Sequence, residues 1–335
     1  MHNKIKILYV YEERIPDELR NIVRSHFPSK EFFLQEMNYS DTISEQKKKI
    51  ADAHAVFFAP GRFLSNEVIF AAKKARIFQL WSSGFDKFNV VGATAAGIPV
   101  AVNGGANASS VAEHTVLLML AVCRSLPEMN QKARSGAWGG ASYGLDMQTL
   151  EGKRLGIIGF GKVGRAVAKK VSGFGMKVAY VDIRRAPKSV ERQLSARAIP
   201  FKTLVRTSDI ISLHLRADET TRGIIGAREF SFMKKGVILI NTARAELVDE
   251  GALLDVLRSG KLRGAGLDVF CEEPPHASHP IFSLPNVVAT PHSAGSTRDA
   301  YVQVMKSAVA NIRRALSGKS VLWSVNNITR QCLAS

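Results

Sequence analysis

From residue 151 onward, apolar strand-like runs recur at 154–158, 177–182, 209–214, 236–241, 264–269 and 286–290. Between several of them the apolar positions change to helical spacing, as from Asp249 to Ser259, where Leu253, Leu254 and Leu257 share a face. Strands joined by helical crossovers pair in parallel, so this alternation predicts six parallel strands in a doubly wound sheet. Shorter runs at 5–9, 54–58, 77–81 and 99–102, again with helical stretches between them, predict a second, smaller α/β unit at the N-terminus. A helical stretch over 109–124 leads from one to the other, and Gly295 and Ser296 precede a helical stretch over 297–316. The expected fold is therefore α/β, with two Rossmann-like or flavodoxin-like doubly wound parallel-sheet domains and an active-site cleft between them. Residues 1–102 with 299–335 form the expected substrate-binding domain, because the short tail packs back on the first unit, and 103–298 form the expected dinucleotide-binding domain.

The run at 155–182 carries the sharpest local signal. Leu155-Gly156-Ile157-Ile158-Gly159-Phe160-Gly161-Lys162-Val163-Gly164 is followed by a helical stretch and then by Lys177-Val178-Ala179-Tyr180-Val181-Asp182. In such a strand, turn, helix and strand, Gly159 permits the tight turn, Gly161 lets backbone N–H groups approach a pyrophosphate, and Gly164 lets the helix lie close on the strand. The phosphates then sit at a helix N-terminus, where unpaired N–H groups and the helix dipole favour anions. Val163, Ala166, Val167, Val171 and Phe174 share the face expected to cover the sheet.

Composition narrows the class without naming it. With 335 residues, 46% hydrophobic and 22% charged, the chain is long enough for two cores. No stretch approaches the roughly 20 apolar residues of a membrane helix, and the first residues lack the apolar core of a signal peptide. Cys123, Cys271 and Cys332 are widely spaced without metal-like pairing, which suits reduced thiols, a cytoplasmic location and no metal. The net charge of +17 is unusual, and residues 151–200 hold twelve Lys or Arg against three acids. That excess can surround a phosphate-bearing cofactor or an anionic substrate, although a solvated surface is the plainer explanation. Nucleic acid is a poor fit, because no basic run is interleaved with aromatics.

In open parallel sheets, ligands bind beyond the carboxyl ends of the strands. Arg244 follows the run 237–241, Glu273 lies beyond 267–270, and His292 follows 287–291. An arginine there can grip a carboxylate through its fork, and a histidine beside a carboxylate is suited to acid–base work. Each alone reads more simply as a surface ion pair, a loop charge or a helix cap. It is their convergence beside one expected cofactor site that points to chemistry.

Four segments then carry a family resemblance: Asn241-Thr242-Ala243-Arg244; Leu247-Val248-Asp249-Glu250-Gly251-Ala252-Leu253; Gly264 through Pro274; and Thr290-Pro291-His292-Ser293-Ala294-Gly295. In order and spacing they resemble the D-isomer-specific 2-hydroxyacid dehydrogenases, as does Asn107-Ala108-Ser109-Ser110-Val111-Ala112-Glu113-His114. The first 60 residues match in pattern only. The resemblance implies reversible reduction of a 2-keto acid by a reduced nicotinamide, with glyoxylate or hydroxypyruvate as the favoured substrates. By that analogy Arg244 holds the substrate carboxylate and keto oxygen, His292 donates the proton, and Glu273 hydrogen-bonds His292. Ser83 and Gly84, in Ser82-Ser83-Gly84-Phe85-Asp86, fall at the family's carboxylate-binding loop. Gly159, Phe160, Gly161, Lys162, Val163, Gly164, Asp182, Ile183, Arg184, His214, Arg216, Thr242, Ala243, Asp268 and His292 are the implied cofactor contacts.

Asp182 is expected to accept hydrogen bonds from the adenosine ribose, which favours NAD. Arg184 and Arg185 follow it, and Arg216 replaces a common family proline, so NADP stays possible. Ala245 replaces the glycine that usually follows the family arginine. The resemblance further implies a homodimer formed through 109–124. Formate dehydrogenases of this fold carry glutamine at the position of Glu273, and phosphite dehydrogenases carry a lysine near Ser83, so neither substrate is favoured. Two alternatives are a phosphoglycerate dehydrogenase-like enzyme, although these 335 residues leave no room for the regulatory domain many of those append, and an NADH-sensing interaction protein similar to the C-terminal-binding-protein corepressors.

Overall fold

A computed structural model describes residues 4–61, 64–326 and 328; Cys332 lies outside them. The chain divides into two compact units, Met1–Asn107 with Arg298–Ser335, and Ala108–Thr297.

In the first unit, strands β1 (Ile5–Tyr11), β2 (Phe32–Asn38), β3 (Ala55–Phe58), β4 (Phe78–Leu80) and β5 (Val100–Ala101) form one parallel sheet in the order β2-β1-β3-β4-β5. That is the flavodoxin-like winding. Alternation along β3 sends Ala55 and Phe57 into one core and Val56 and Phe58 into the other, so the strand is buried on both faces. The helix Arg298–Leu316 contributes Val304, Met305, Ala308 and Ile312 to the first of these cores. Its buried Asn311 donates from Nδ2 to Gln79 Oε1 at 2.8 Å and to the Leu322 carbonyl at 3.0 Å, which leaves no amide stranded in the apolar interior. Residues 103–107 belong to this unit and extend it past the boundary expected at 102. Asn103 explains why: its N–H donates to the Ser82 carbonyl, its Nδ2 to the Trp81 carbonyl, and its Oδ1 accepts from Gly105 N–H.

In the second unit, β6 (Arg154–Ile158), β7 (Lys177–Val181), β8 (Ala196–Ala198), β9 (Ile210–Leu213), β10 (Val237–Asn241), β11 (Leu262–Leu267) and β12 (Val287–Ala289) form a seven-stranded parallel sheet. The order β8-β7-β6-β9-β10-β11-β12 grows outward in both directions from β6, so the winding reverses between β6 and β9. Helices Ala108–Cys123 and Lys162–Val171 cover one face, and the helix Glu250–Arg258 covers the other. The sheet has one strand more than the six expected, because the short β8 carries little pattern, and β2 was likewise unanticipated. Phe174 also departs from expectation. The helix stops at Val171 and continues as a tight turn over Ser172–Phe174, which leaves that ring 39% exposed while Val167 and Val171 are fully buried.

Among the described residues no helix is long and apolar enough to cross a membrane, and no group of three or more His, Cys, Asp or Glu is placed to hold a metal ion. Cys123 is buried and Cys271 exposed, and both are free thiols.

Candidate cofactor and proton-transfer site

The loop after β6 lies where the winding of the second unit reverses. Gly159 has φ 93°, and a Cβ there would meet the His214 carbonyl carbon at 2.6 Å, so neither its conformation nor its space admits a side chain. A Cβ on Gly164 would collide with the Gly159 carbonyl oxygen and lie 3.1 Å from Ile157 Cγ2 in β6, so the helix lies close on the strand, as expected. Gly161, at the N-cap of the helix Lys162–Val171, has nothing within 4 Å of its would-be Cβ. An open glycine at the start of a ten-residue helix fits a bound pyrophosphate, because helix N-termini favour anions. Val163 packs against the core, and His214, after β9, has its Nε2 2.8 Å from Ser212 Oγ. Burial pushes the His214 imidazole down to about 3, so it stays neutral at neutral pH.

Asp182 follows β7. Its Oδ2 accepts from Phe160 N–H at 2.6 Å and its Oδ1 from Arg184 N–H at 3.1 Å, so the carboxylate is held at the edge of the glycine loop. The Phe160 ring stacks on Tyr180 with centroids 3.9 Å apart. Ile183 is fully exposed, an uncommon state for isoleucine and one suited to covering a planar ligand. Lys162 and Arg216 flank this region, Arg216 with its carbonyl accepting from Thr221 Oγ1 at 2.7 Å. Together these residues fit a dinucleotide.

Three strand ends carry the remaining candidates. At the end of β10, buried Asn241 clamps the next turn: its Oδ1 accepts from Ala243 N–H at 3.0 Å, and its Nδ2 donates to the Arg244 carbonyl at 2.8 Å. Thr242 is buried, with its hydroxyl 3.0 Å from that of Thr115. Arg244 is half-buried and donates from Nη1 to the Ala243 carbonyl at 2.7 Å. Ala245 opens a short 3-10 turn, Ala245–Leu247, so the alanine is accommodated beside the arginine.

Beyond β11 and β12 the structure brings Asp268, Glu273 and His292 together. His292 Nδ1 lies 2.9 and 2.8 Å from the two Glu273 oxygens, and Glu273 Oε1 also accepts from Phe270 N–H at 3.2 Å. A carboxylate only accepts, so Nδ1 carries a proton and Nε2 is the ring nitrogen left for exchange. His292 has φ 50°, a left-handed conformation unusual for a non-glycine residue. Buried Asp268 holds the backbone there, accepting from Ser293 N–H at 2.8 Å and Ala294 N–H at 2.9 Å.

With this geometry in place, comparison with known proteins is decisive. The description "D-isomer specific 2-hydroxyacid dehydrogenase, NAD binding domain" matches residues 116–294, more than half of the chain. A hydroxypyruvate reductase of Thermotoga maritima is 38% identical over 81% of this chain and 88% of its own length. This chain belongs to the D-isomer-specific 2-hydroxyacid dehydrogenase family. It is an oxidoreductase, and the matched NAD-binding segment falls within the unit Ala108–Thr297. A D-3-phosphoglycerate dehydrogenase of Archaeoglobus fulgidus is also 38% identical, over 78% of the chain, but the match spans about half of that relative, 49%. A solved glyoxylate reductase from Paecilomyces thermophila has 27% identity and a TM-score of 0.80, with 97% of this chain and 99% of the other covered.

Sequence reasoning missed two members of the dehydrogenase's network. Thr290 Oγ1 donates to Asp268 Oδ1 at 2.6 Å, and His114 Nε2 lies 2.9 Å from the same hydroxyl. Thr290 was visible inside the segment ending at Gly295. The role of His114 was not, since its partner lies 176 positions away. In the first unit, Ser83 is placed after β4 and donates from Oγ to Asn103 Oδ1 at 2.5 Å. The backbone N–H groups of Ser83 and Gly84 make no hydrogen bond among the described residues.

Proposed function

We propose that this dehydrogenase reduces a small 2-keto acid of the glyoxylate or hydroxypyruvate type with NADH, and oxidises the D-2-hydroxy acid in reverse. The observation that carries the reading is the Glu273–His292 pair on a backbone held by Asp268, because it leaves one imidazole nitrogen for proton exchange. In reduction, His292 gives its Nε2 proton to the keto oxygen. In oxidation, the neutral ring takes the hydroxyl proton back through Nε2. Glu273 keeps Nδ1 protonated throughout and stabilises the charge the ring carries in its protonated state. Bound nicotinamide supplies or accepts the hydride. Arg244 grips the substrate carboxylate through its fork and meets the negative charge developing on the keto oxygen. Ser83 and Gly84 are further substrate contacts in this proposal, supported by their two unengaged N–H groups.

The cofactor contacts are Gly159 to Gly164 for the pyrophosphate; Asp182, Ile183, Arg184, His214 and Arg216 around the adenosine; and Thr242, Ala243, Asp268 and His292 at the nicotinamide end. NAD is the preferred form because Asp182 is a carboxylate aimed by two backbone N–H groups, and a carboxylate repels a 2′-phosphate.

NADH oxidation followed at 340 nm, in parallel with NADPH, tests this against glyoxylate, hydroxypyruvate, 3-phosphohydroxypyruvate, pyruvate, 2-ketoglutarate and phenylpyruvate. Turnover is expected with glyoxylate or hydroxypyruvate, and faster with NADH. Silence across the panel with NADH binding intact would overturn the substrate reading, and activity confined to 3-phosphohydroxypyruvate would transfer it to the phosphoglycerate class. A cytoplasmic homodimer formed through the helix Ala108–Cys123 completes the proposal, supported by Leu117, a half-exposed leucine on the same side of that helix as exposed Glu113. Light scattering should return twice the 36.6 kDa chain mass; a monomer mass would remove the dimer.

A further inference from the structure

Three cations follow Asp182 closely, Arg184, Arg185 and Lys188, and cations in this position are what a 2′-phosphate needs. Arg185 is three residues beyond Asp182, at most about 10 Å of extended backbone away, so it lies in the neighbourhood of that carboxylate. Two of the three are already engaged. Arg185 forms a two-point fork on Glu191, with Nε to Oε1 at 2.9 Å and Nη2 to Oε2 at 3.2 Å. Lys188 Nζ lies 3.0 Å from Glu191 Oε2. Glu191 is only 7% exposed, in the short helix Lys188–Gln193, whereas both cations are exposed.

A glutamate this buried needs a reason, and its surroundings supply one. Tyr180 donates from its hydroxyl to Glu191 Oε1 at 2.9 Å and accepts from Ala186 N–H at 2.9 Å. The Tyr180 ring is the one stacked on Phe160, whose own N–H donates to Asp182. One connected set of contacts thus runs from the glycine loop through Tyr180 to Glu191 and the two cations. Arg185 and Lys188 hold the Glu191 carboxyl at about 2, so it is ionised throughout the working pH range.

We propose that Glu191 is a positioning residue for cofactor selectivity: by engaging Arg185 and Lys188 with its own carboxylate, it withholds both from a 2′-phosphate and leaves Asp182 to select NAD. This rests on the reading of Asp182 as the ribose contact. The network also ties β7 to the following helix, and that structural role does not depend on whether the ligand carries a 2′-phosphate. Arg184 is present in every variant considered and cancels from the comparison.

The test is a fluorescence titration of NADH and NADPH binding to the full chain, two ligands that differ only at the 2′ position. Wild type should bind NADH more tightly. Glu191→Gln keeps the size of the side chain and an oxygen for the Tyr180 hydroxyl but removes the charge that holds the cations. It should tighten NADPH binding by about tenfold, the worth of one charge-assisted hydrogen bond, and leave NADH nearly unchanged. Adding Arg185→Ala and Lys188→Ala to that variant should abolish the gain. Removing the two cations while Glu191 is intact should leave the NADPH-to-NADH ratio unchanged, a prediction that holds whether or not the glutamine variant folds. An unchanged ratio in folded Glu191→Gln would overturn the proposal, as would a gain that survives loss of both cations. Weaker NADPH binding on removing the cations from wild type would overturn it as well. Wild-type protein that binds neither nucleotide would overturn the cofactor reading itself, an outcome distinct from these.

Discussion

Replacing His292 with alanine is expected to lower turnover of the keto acid by about 10² to 10⁴-fold, the usual contribution of a positioned acid–base group, while NADH binding changes little. The geometry separates the two effects. Nε2 is the nitrogen Glu273 leaves for exchange, whereas the phosphate loop and Asp182 lie at β6 and β7, strands not adjacent to β12. The backbone adds to the case. A non-glycine residue at φ 50° costs of order 1 kcal/mol or more, and here that conformation is fixed by the two N–H bonds to buried Asp268. Histidine is one of the non-glycine residues enriched in this region and alanine is not, so alanine should lower stability modestly, well short of unfolding the protein. The check is kcat by NADH oxidation and NADH affinity by fluorescence on one preparation, with circular dichroism to verify folding. A folded variant that has lost NADH binding would refute the division of roles, and unchanged kcat would refute the proton-transfer assignment.

What could be read in advance followed burial. β6, β9, β10 and β11 lie inside the sheet, covered on both faces, and their residues form apolar runs that are plain in the sequence. The two unanticipated strands are both edges. β2 keeps only Phe32 and Met37 fully buried and places Phe33 54% exposed, and β8 is three residues long, so neither has to be a continuous apolar run. Phe174 shows the reverse error: its spacing continues the helical face, but the helix has already ended. The candidate site was legible where its chemistry is local. Gly159, Gly161 and Gly164 are spaced by the turn they make, and Asp182 closes the strand after it. Glu273 and His292 were linked by resemblance, and the structure places them in contact. Asp268's grip on the His292 backbone, the approach of His114 to Thr290, and the Glu191 cluster each depend on tertiary packing, which no short spacing encodes.

The second large effect is expected at Arg244. Arg244→Gln should lower kcat by about 10² to 10³-fold, as loss of a donor to a developing oxyanion does, and should also raise KM, since in the proposed reaction the same fork holds the substrate carboxylate beforehand. Arg244→Lys separates those contributions: the ammonium keeps the charge but cannot make two parallel bonds to one planar group, so it should recover part of KM and little of kcat. The clamp on the backbone makes this interpretable. Asn241 fixes the turn through the Ala243 N–H and the Arg244 carbonyl, neither of which the substitution touches, so the side chain changes while its anchor stays. The measurement is a full kcat and KM determination against the best keto acid of the panel, with NADH saturating. If Arg244→Gln raised KM alone and left kcat at the wild-type value, Arg244 would bind substrate and transition state equally, and stabilisation of the oxyanion would have to be sought elsewhere.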